Sequence, residues 1–462
     1  SYTFFLRQDA RWHDGQPVTA DDVVFTVKLV QDPAIPDLQK TRLAAAWQKA
    51  VVEKLDEHSV RVQLPEAYAP FLSAAMLSIV PAHLLAEVPP AELAQDRFSA
   101  FAPVGSGRFS LAPRAEGAGQ QDRLQRFEGH WENRGEQPYL DSVVLRYFAS
   151  VEEAVGAVSR HEVQGMGRVP PDALDILADD DRIRLVEALQ SGYTAVYLNA
   201  SDPLLRNASV RQALSLALDR DGLIQDKRLL GGHGLKGLSP IPPGSWAHDD
   251  SLPAPVFDPQ KAAVVLDEAG WVDSDGDGIR DREGQPLHFT LSVRDDNPLL
   301  AAMGEAIQKG WRAIGIQVDL QTIQGANLAG TLGTRAFTAL LFSIELPYYD
   351  PDPFALWHST QIAAPGQNYA GFNSPDADQL LVDARRAHPI QGQAERRQLY
   401  ERFQAIFAEQ LPALIIAYPA YTYVVADPGI GNVQLPSLVV QPADRFLSLP
   451  DWYARTERVF RR

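Results

Sequence analysis

The apolar positions of the chain fall into two rhythms. Residues 59–64 alternate apolar and polar one by one, as in a half-buried strand, and residues 2–6 read as a strand from their aromatic and β-branched content. Val23, Val24, Val27 and Val30 lie on a helical face behind Thr19-Ala-Asp-Asp22, with Thr19 placed to cap and Asp22 at the capping-box position. The same rhythms predict strands over 139–148, 195–199, 287–293, 316–323, 338–343 and 413–418. They predict helices over 151–158, 209–218, 258–270, 299–313, 375–387 and 393–410. A glycine turn leads into a strand at 103–111, and Pro/Gly-rich loops occupy 231–244 and 426–442. Strands alternating with helices predict α/β lobes with parallel or mixed sheets.

The length, 462 residues, exceeds what one core organises, so two or three domains are expected. A net charge of −17 disfavours nucleic-acid and anionic-membrane partners and favours a monomer. The absence of cysteine excludes thiol catalysis, thiolate metal sites and disulfides. No run of 18 apolar residues suggests a transmembrane helix. Ser1 to Arg7 reads as mid-strand and lacks signal-peptide features, so the chain is expected to begin inside a domain.

Few motifs carry chemistry. Asp273, Asp275, Asp277 and Asp281 have the spacing of calcium-loop ligands, with Gly278 at the turn, but Gly284 replaces the bidentate Glu at the loop's end. A structural calcium and a solvated Asp/Gly turn are both open, and no other cofactor is expected. Gly232, Gly234 and Gly237 match G-x-G-x-x-G, yet prolines follow where a helix must start, so the dinucleotide reading is rejected. The ten histidines are scattered; His13 and His358, each behind a Trp, are expected in packing or turns. Acidic residues are plentiful enough for a carboxylate-pair hydrolase, but nothing singles out a pair.

Two segments look like binding surface, both at expected strand ends, where α/β lobes gather ligands. One spans 343–357 and offers Glu345, Tyr348, Tyr349, Asp350, Asp352 and Trp357, with prolines stiffening the loop. The other spans 293–298, where Arg294 is suited to a bidentate carboxylate. Helix-capping loops are the plain alternative for both.

An ordered set of short motifs runs through the chain. It comprises Phe4-Phe-Leu-Arg7, Trp12-His-Asp-Gly15, Ala20-Asp-Asp-Val23, Pro70-Phe-Leu72, Ile79-Val-Pro81 and Gly105-Ser-Gly107-Arg-Phe109. Val210-Arg-Gln-Ala-Leu214, Leu218-Asp-Arg220, Asp258-Pro-Gln-Lys-Ala262, Asp350-Pro-Asp352-Pro-Phe354, Asn368-Tyr-Ala-Gly-Phe372 and Pro412-Ala-Leu-Ile-Ile416 complete it. In this set the chain resembles family 5 solute-binding proteins, the dipeptide, oligopeptide and nickel receptors of ABC importers. The resemblance implies a periplasmic-binding-protein-like α/β fold: two lobes with mixed sheets joined by a hinge, plus an extra domain. It divides the chain into an extra domain at 1–135, a first lobe at 136–199 and 431–462, and a second lobe at 200–430. It also implies that the piece carrying the first strand of the first lobe precedes Ser1.

The function implied is non-enzymatic capture of a peptide or peptide-like solute for a membrane ABC permease, outside the cytoplasm, with lipid anchoring left open. The family's ligand-carboxylate Arg falls on Arg294, while its amino-group anchor falls on Pro347, which cannot serve. Glu345 is the nearest substitute, with Asp350 and Asp352 as further candidates. A carboxylate-pair hydrolase and the ligand-sensing module of a regulator are the alternatives.

Overall fold

The computed structural model describes residues 1–35, 42–113, 120–133, 135, 137–426 and 430–454. Residues 427–429 of the expected loop and 455–462 of the expected first lobe therefore lie outside the described residues.

An N-terminal unit holds an antiparallel sheet in the order Tyr2–Phe5, Ser59–Gln63, Val51–Asp56, covered by helix Ala20–Gln31. Val27, Val30, Trp47, Val62 and Phe71 form its core. Buried Asp22 knits the unit together. Its carboxylate accepts the Thr19 N–H at 2.8 Å, the Trp12 indole N–H at 3.2 Å and the Ala82 N–H at 2.8 Å. His13 ties the unit to the glycine turn: its Nε2 lies 2.9 Å from the Gly107 carbonyl, and its Nδ1 accepts the Gly105 N–H at 3.1 Å.

The main sheet carries two lobes. Its order is Gln317–Ile323, His288–Arg294, Ala339–Glu345, Gly192–Leu198, Ala413–Val425, Arg184–Gln190, Leu438–Val439. The strand expected at 413–418 continues to Val425, because Tyr421, Tyr423 and Val425 keep one face apolar and buried while Val424 keeps the other. It pairs with Gly192–Leu198 as far as Ala417, opposite Thr194, and with Arg184–Gln190 from Ala420, opposite Leu189. Two strand paths thus cross together from lobe to lobe, one at Ser191 and one between Ala417 and Ala420.

The cores follow this crossing. In the larger lobe, Val196, Leu198 and Leu414 pack against helices Ala208–Leu216 and Pro298–Arg312. On the opposite face Tyr193, Ala195 and Tyr197 pack against Pro375–Arg386 and Gln393–Gln410. In the smaller lobe, Tyr421, Tyr423 and Val425 join Val433, Val439 and Trp452, with Phe109 and Val143 against them. Two expected cuts therefore move. Strand Gly192–Leu198, given to the first lobe by a cut after 199, is buried in the larger lobe. Strand Phe109–Leu111, given to the extra domain, packs on the smaller lobe.

Two buried groups of the larger lobe that read in sequence only as motifs hold local backbone in place. Arg220, buried beneath the long strand, donates to the Ile415 carbonyl at 2.8 Å, where the strand shifts register, and to Ser215 at 3.2 Å. Burial lowers its pKa to about 10. Asn368, fully buried, accepts the Phe372 N–H at 2.9 Å and donates to the Phe372 and His358 carbonyls, closing the Asn-Tyr-Ala-Gly-Phe turn.

Candidate functional site

Strands His288–Arg294 and Ala339–Glu345 run parallel, so their carboxyl ends emerge on the same side, toward the smaller lobe. Glu345 ends its strand opposite Gly192, one residue from the crossing at Ser191. Gly192 has φ 150°, and a Cβ there would overlap the Ile344 carbonyl oxygen, so this close approach of two backbones requires glycine. Ser191 fastens the crossing to both lobes. Its N–H donates to Val439 O at 2.8 Å, its Oγ to Leu346 O at 2.8 Å, and its carbonyl accepts the Leu346 N–H at 2.9 Å.

The loop that leaves Leu346 separates two cavities. One, of about 320 Å³, lies between the lobes: Trp246, Tyr348, Tyr349 and a set of prolines face Leu438, Val440 and Leu447, with Ser191 at the crossing. The other, of about 500 Å³, lies between the loop and the N-terminal unit, which contributes Lys49, Glu66 and Tyr68. Tyr348, Asp350 and Asp352 line both. Tyr349 crosses the first cavity: its hydroxyl donates to Asp444 of the smaller lobe at 2.6 Å. Burial and the Asp444 charge push the Tyr349 pKa up to about 12.

The acidic and basic candidates are mostly committed to the scaffold. Asp350 accepts two 2.8 Å bonds from Arg396, whose side chain is 2% exposed. Burial pushes the Asp350 carboxyl up against the pull of this guanidinium, whereas Arg396 is raised: burial pulls it down, but the bonds to Asp350 and Tyr400 and their charges together outweigh that pull. The directions conflict; the fork geometry with two short bonds decides for an ionised pair. Asp352 is gripped by Arg385 at 2.7 and 2.9 Å, and Arg385 stacks on Phe354 at 3.6 Å. Neither carboxylate is thus a loose ligand anchor. Arg294 is met by its own neighbour: Asp296 accepts from Nε at 2.8 Å and from Nη2 at 2.6 Å.

Trp357, expected in the binding surface, packs in the core of the larger lobe instead. It is wholly buried, stacked on Tyr197 at 5.8 Å and edge-on to Phe407 at 4.7 Å, so the aromatic run that looked like a binding stripe ends in core. Glu345 remains accessible and meets Arg168 of the smaller lobe at 3.1 Å. Of the calcium-loop residues, Asp273, Asp275 and Asp277 bring their carboxylates within 4.8 Å of one another, all exposed. Asp281 is not with them; its carboxylate accepts from Ser274 N and Oγ at 3.0 and 2.6 Å. Asp273 and Asp277 accept N–H groups of their own loop, as in Asx turns.

The chain has counterparts in sequence and in fold. The profile of bacterial extracellular solute-binding proteins, family 5 (middle region), matches residues 1–364. The chain belongs to this family. The oligopeptide-binding protein AppA of Bacillus subtilis is 29% identical over 425 residues, 91% of this chain and 75% of that protein. The dipeptide-binding protein of Escherichia coli is 27% identical over 442 residues, 90% of this chain and 78% of that one. The solved structure of B. subtilis AppA in complex with a nonapeptide superposes with a TM-score of 0.72 at 26% identity, covering 98% of this chain and 87% of that one. This family 5 chain is a solute-binding protein, and its fold is of the periplasmic-binding-protein type.

Several residues that shape the family 5 cleft here had no sequence signal. Ser191, Asp444 and Trp246 come from three separate stretches that meet at the inter-lobe cavity, whereas Arg168 lies off that lining and meets Glu345 from the other lobe. Arg385 and Arg396 sit on helices whose pattern was legible, but their inward direction was not.

Proposed function

We propose that this protein is the extracytoplasmic receptor of an ABC importer for peptides or peptide-like solutes, delivering its cargo to a membrane permease as a monomer. The observation that carries this reading is the cavity built by both lobes at the strand crossing, with Tyr348, Tyr349 and Trp246 on one wall and Leu438, Val440 and Leu447 on the other. Aromatic walls grip an extended chain largely independently of its sequence. The adjoining cavity beside the N-terminal unit favours a ligand longer than a dipeptide. Both relatives, the oligopeptide- and dipeptide-binding proteins, bear names that fit this class.

Capture works by closing the lobes about Ser191 and the long strand, with ligand stabilising the closed form in proportion to its preference for it. No bond is broken in this reading: Asp350 and Asp352, the paired acids of the site, are each held by an arginine and have no free role in proton transfer. Small-angle X-ray scattering with and without a mixture of random-sequence nonapeptides tests it. A smaller radius of gyration on binding, with every peptide recovered uncut, is expected; an unchanged radius or cleaved peptides would defeat it.

A further inference from the structure

A further cavity, of about 660 Å³, lies in the smaller lobe, apart from the cleft. Every residue of strand Ser142–Arg146 lines it, and so does every residue of strand Gly165–Gly167. Successive side chains of a strand point to opposite faces, so a cavity met by all of them lies at the strands' edges. The two strands do not pair with each other. The first pairs with Gln121–Arg126 and the second with the long strand Ala413–Val425.

The ladder bonds show which backbone groups face this space. At the ends of the first pairing, Asp141 accepts the Arg126 N–H at 2.9 Å and the Tyr147 N–H donates to Gln120 at 2.8 Å. Alternation then turns Val143 and Leu145 to the same partner, and Ser142, Val144 and Arg146 away from it. In the second pairing, Gln164 accepts the Ala426 N–H at 3.0 Å and Arg168 donates to Thr422 at 2.8 Å, which turns Gly165 and Gly167 away from the long strand. The outward N–H and C=O groups of these five residues border the cavity without a backbone partner among the described residues. Apolar core flanks the space on both faces. Val433 and Trp452 belong to the core on one face of the long strand, Val163 and Met166 to the core on the other. Strand Ser142–Arg146, helix Val151–Ser159 and strand Gly165–Gly167 follow one another in the order that connects parallel strands.

We propose that this cavity seats one further β-strand, apolar on both faces and supplied by the same polypeptide from outside Ser1–Arg462. Seated there, the strand pairs with both open edges and joins the sheet Phe109–Leu111, Gln121–Arg126, Ser142–Arg146 to the main sheet. Main-chain bonds hold such a strand, and the side chains it buries select it. Core on both faces calls for a continuous apolar run, where alternation would place polar groups in one of the two cores. The length matches the 5 residues of Ser142–Arg146, at a rise of about 3.3 Å each. Two observations favour the same polypeptide over a second molecule. A slot flanked by core on both faces suits a strand built in as the lobe folds. The fold of B. subtilis AppA also contains residues beyond the match, which covers 98% of this chain and 87% of that one. The inference stands apart from the solute reading.

Hydrogen exchange read by mass spectrometry tests this. Two probes are added to the chain: a peptide with Val-Ile-Val-Val-Ile between lysine pairs, and one with Val-Ser-Val-Ser-Val in the same frame. The first should slow exchange in segments 142–147 and 164–168 by about tenfold or more, and the second, apolar on one face only, far less. Val144→Pro removes one outward N–H and spares the bonds to Gln121–Arg126, so this variant should fold and lose the protection. Val144→Ala keeps the N–H and should keep the protection. The protein isolated from its own cells should show both segments protected with no peptide added, at every protein concentration. Equal effects of the two peptides, protection undiminished in folded Val144→Pro, or no protection by either peptide would overturn the slot. Fast exchange of both segments in the cell-derived protein would overturn the same-polypeptide source, and so would protection that fades on dilution, which would assign the strand to a second copy.

Discussion

Asp350 stands in the loop between the two cavities, where a ligand anchor was expected, yet it is engaged by Arg396; replacing it separates the two roles. Asp350→Ala removes both 2.8 Å bonds from a guanidinium that is 2% exposed. Removing one partner of a buried ion pair costs about 3–5 kcal/mol, because the other charge stays buried. Arg396 keeps the Ala384 carbonyl at 3.0 Å and the Tyr400 hydroxyl at 3.1 Å, so the cost belongs near the lower end, about 3 kcal/mol. Urea unfolding followed by tryptophan fluorescence should show the loss in the transition of the larger lobe, since separate lobes need not unfold together. The double substitution Asp350→Leu with Arg396→Met, which removes both charges, should restore most of it. Folded Asp350→Ala should still retain nonapeptides with near wild-type affinity. Undiminished stability together with abolished peptide binding would refute the reasoning and make Asp350 a ligand group.

Three further outcomes follow from the same geometry. Trp357→Ala should cost about 3–5 kcal/mol of stability in urea titrations, while Trp357→Phe should cost less, because the indole N–H it removes has no partner among the described residues. Gly192→Ala forces a Cβ onto the Ile344 carbonyl in a conformation suited to glycine and should destabilise the crossing by about 1–3 kcal/mol, read as a lower urea midpoint. Tyr349 has its pKa raised from 10.0 to about 12 in the folded protein, so its stabilisation is complete below pH 10 and declines as pH rises through about 12. The stability difference between wild type and Tyr349→Phe should therefore be flat below pH 10 and narrow across that window.

Elements with strong internal rhythm were readable from sequence. Strand His288–Arg294 and helices Pro298–Arg312, Pro375–Arg386 and Gln393–Gln410 lie within a residue or so of where their periodicities place them. The motifs were readable as a set, and the structure gives several of them physical work: Asp22 gathers three N–H groups, Arg220 holds a register shift, and Asn368 closes a turn. Strand Arg184–Gln190 escaped because its exposed edge breaks the apolar alternation, and with it went the crossing at Ser191. Side-chain direction was the other blind spot. Tyr349 and Trp357 stand on one short aromatic-rich loop and helix, yet one bridges the cleft and the other is sealed in the core. Period alone does not tell a wall of a cavity from the packing behind it.

The central claim is that the lobes enclose an intact peptide-like solute at the strand crossing. Native mass spectrometry of the chain mixed with random-sequence nonapeptides tests this most directly. The account predicts one peptide per chain, released on denaturation at its full mass. Truncated peptide masses, or no complex at peptide concentrations that saturate a receptor of this class, would contradict it.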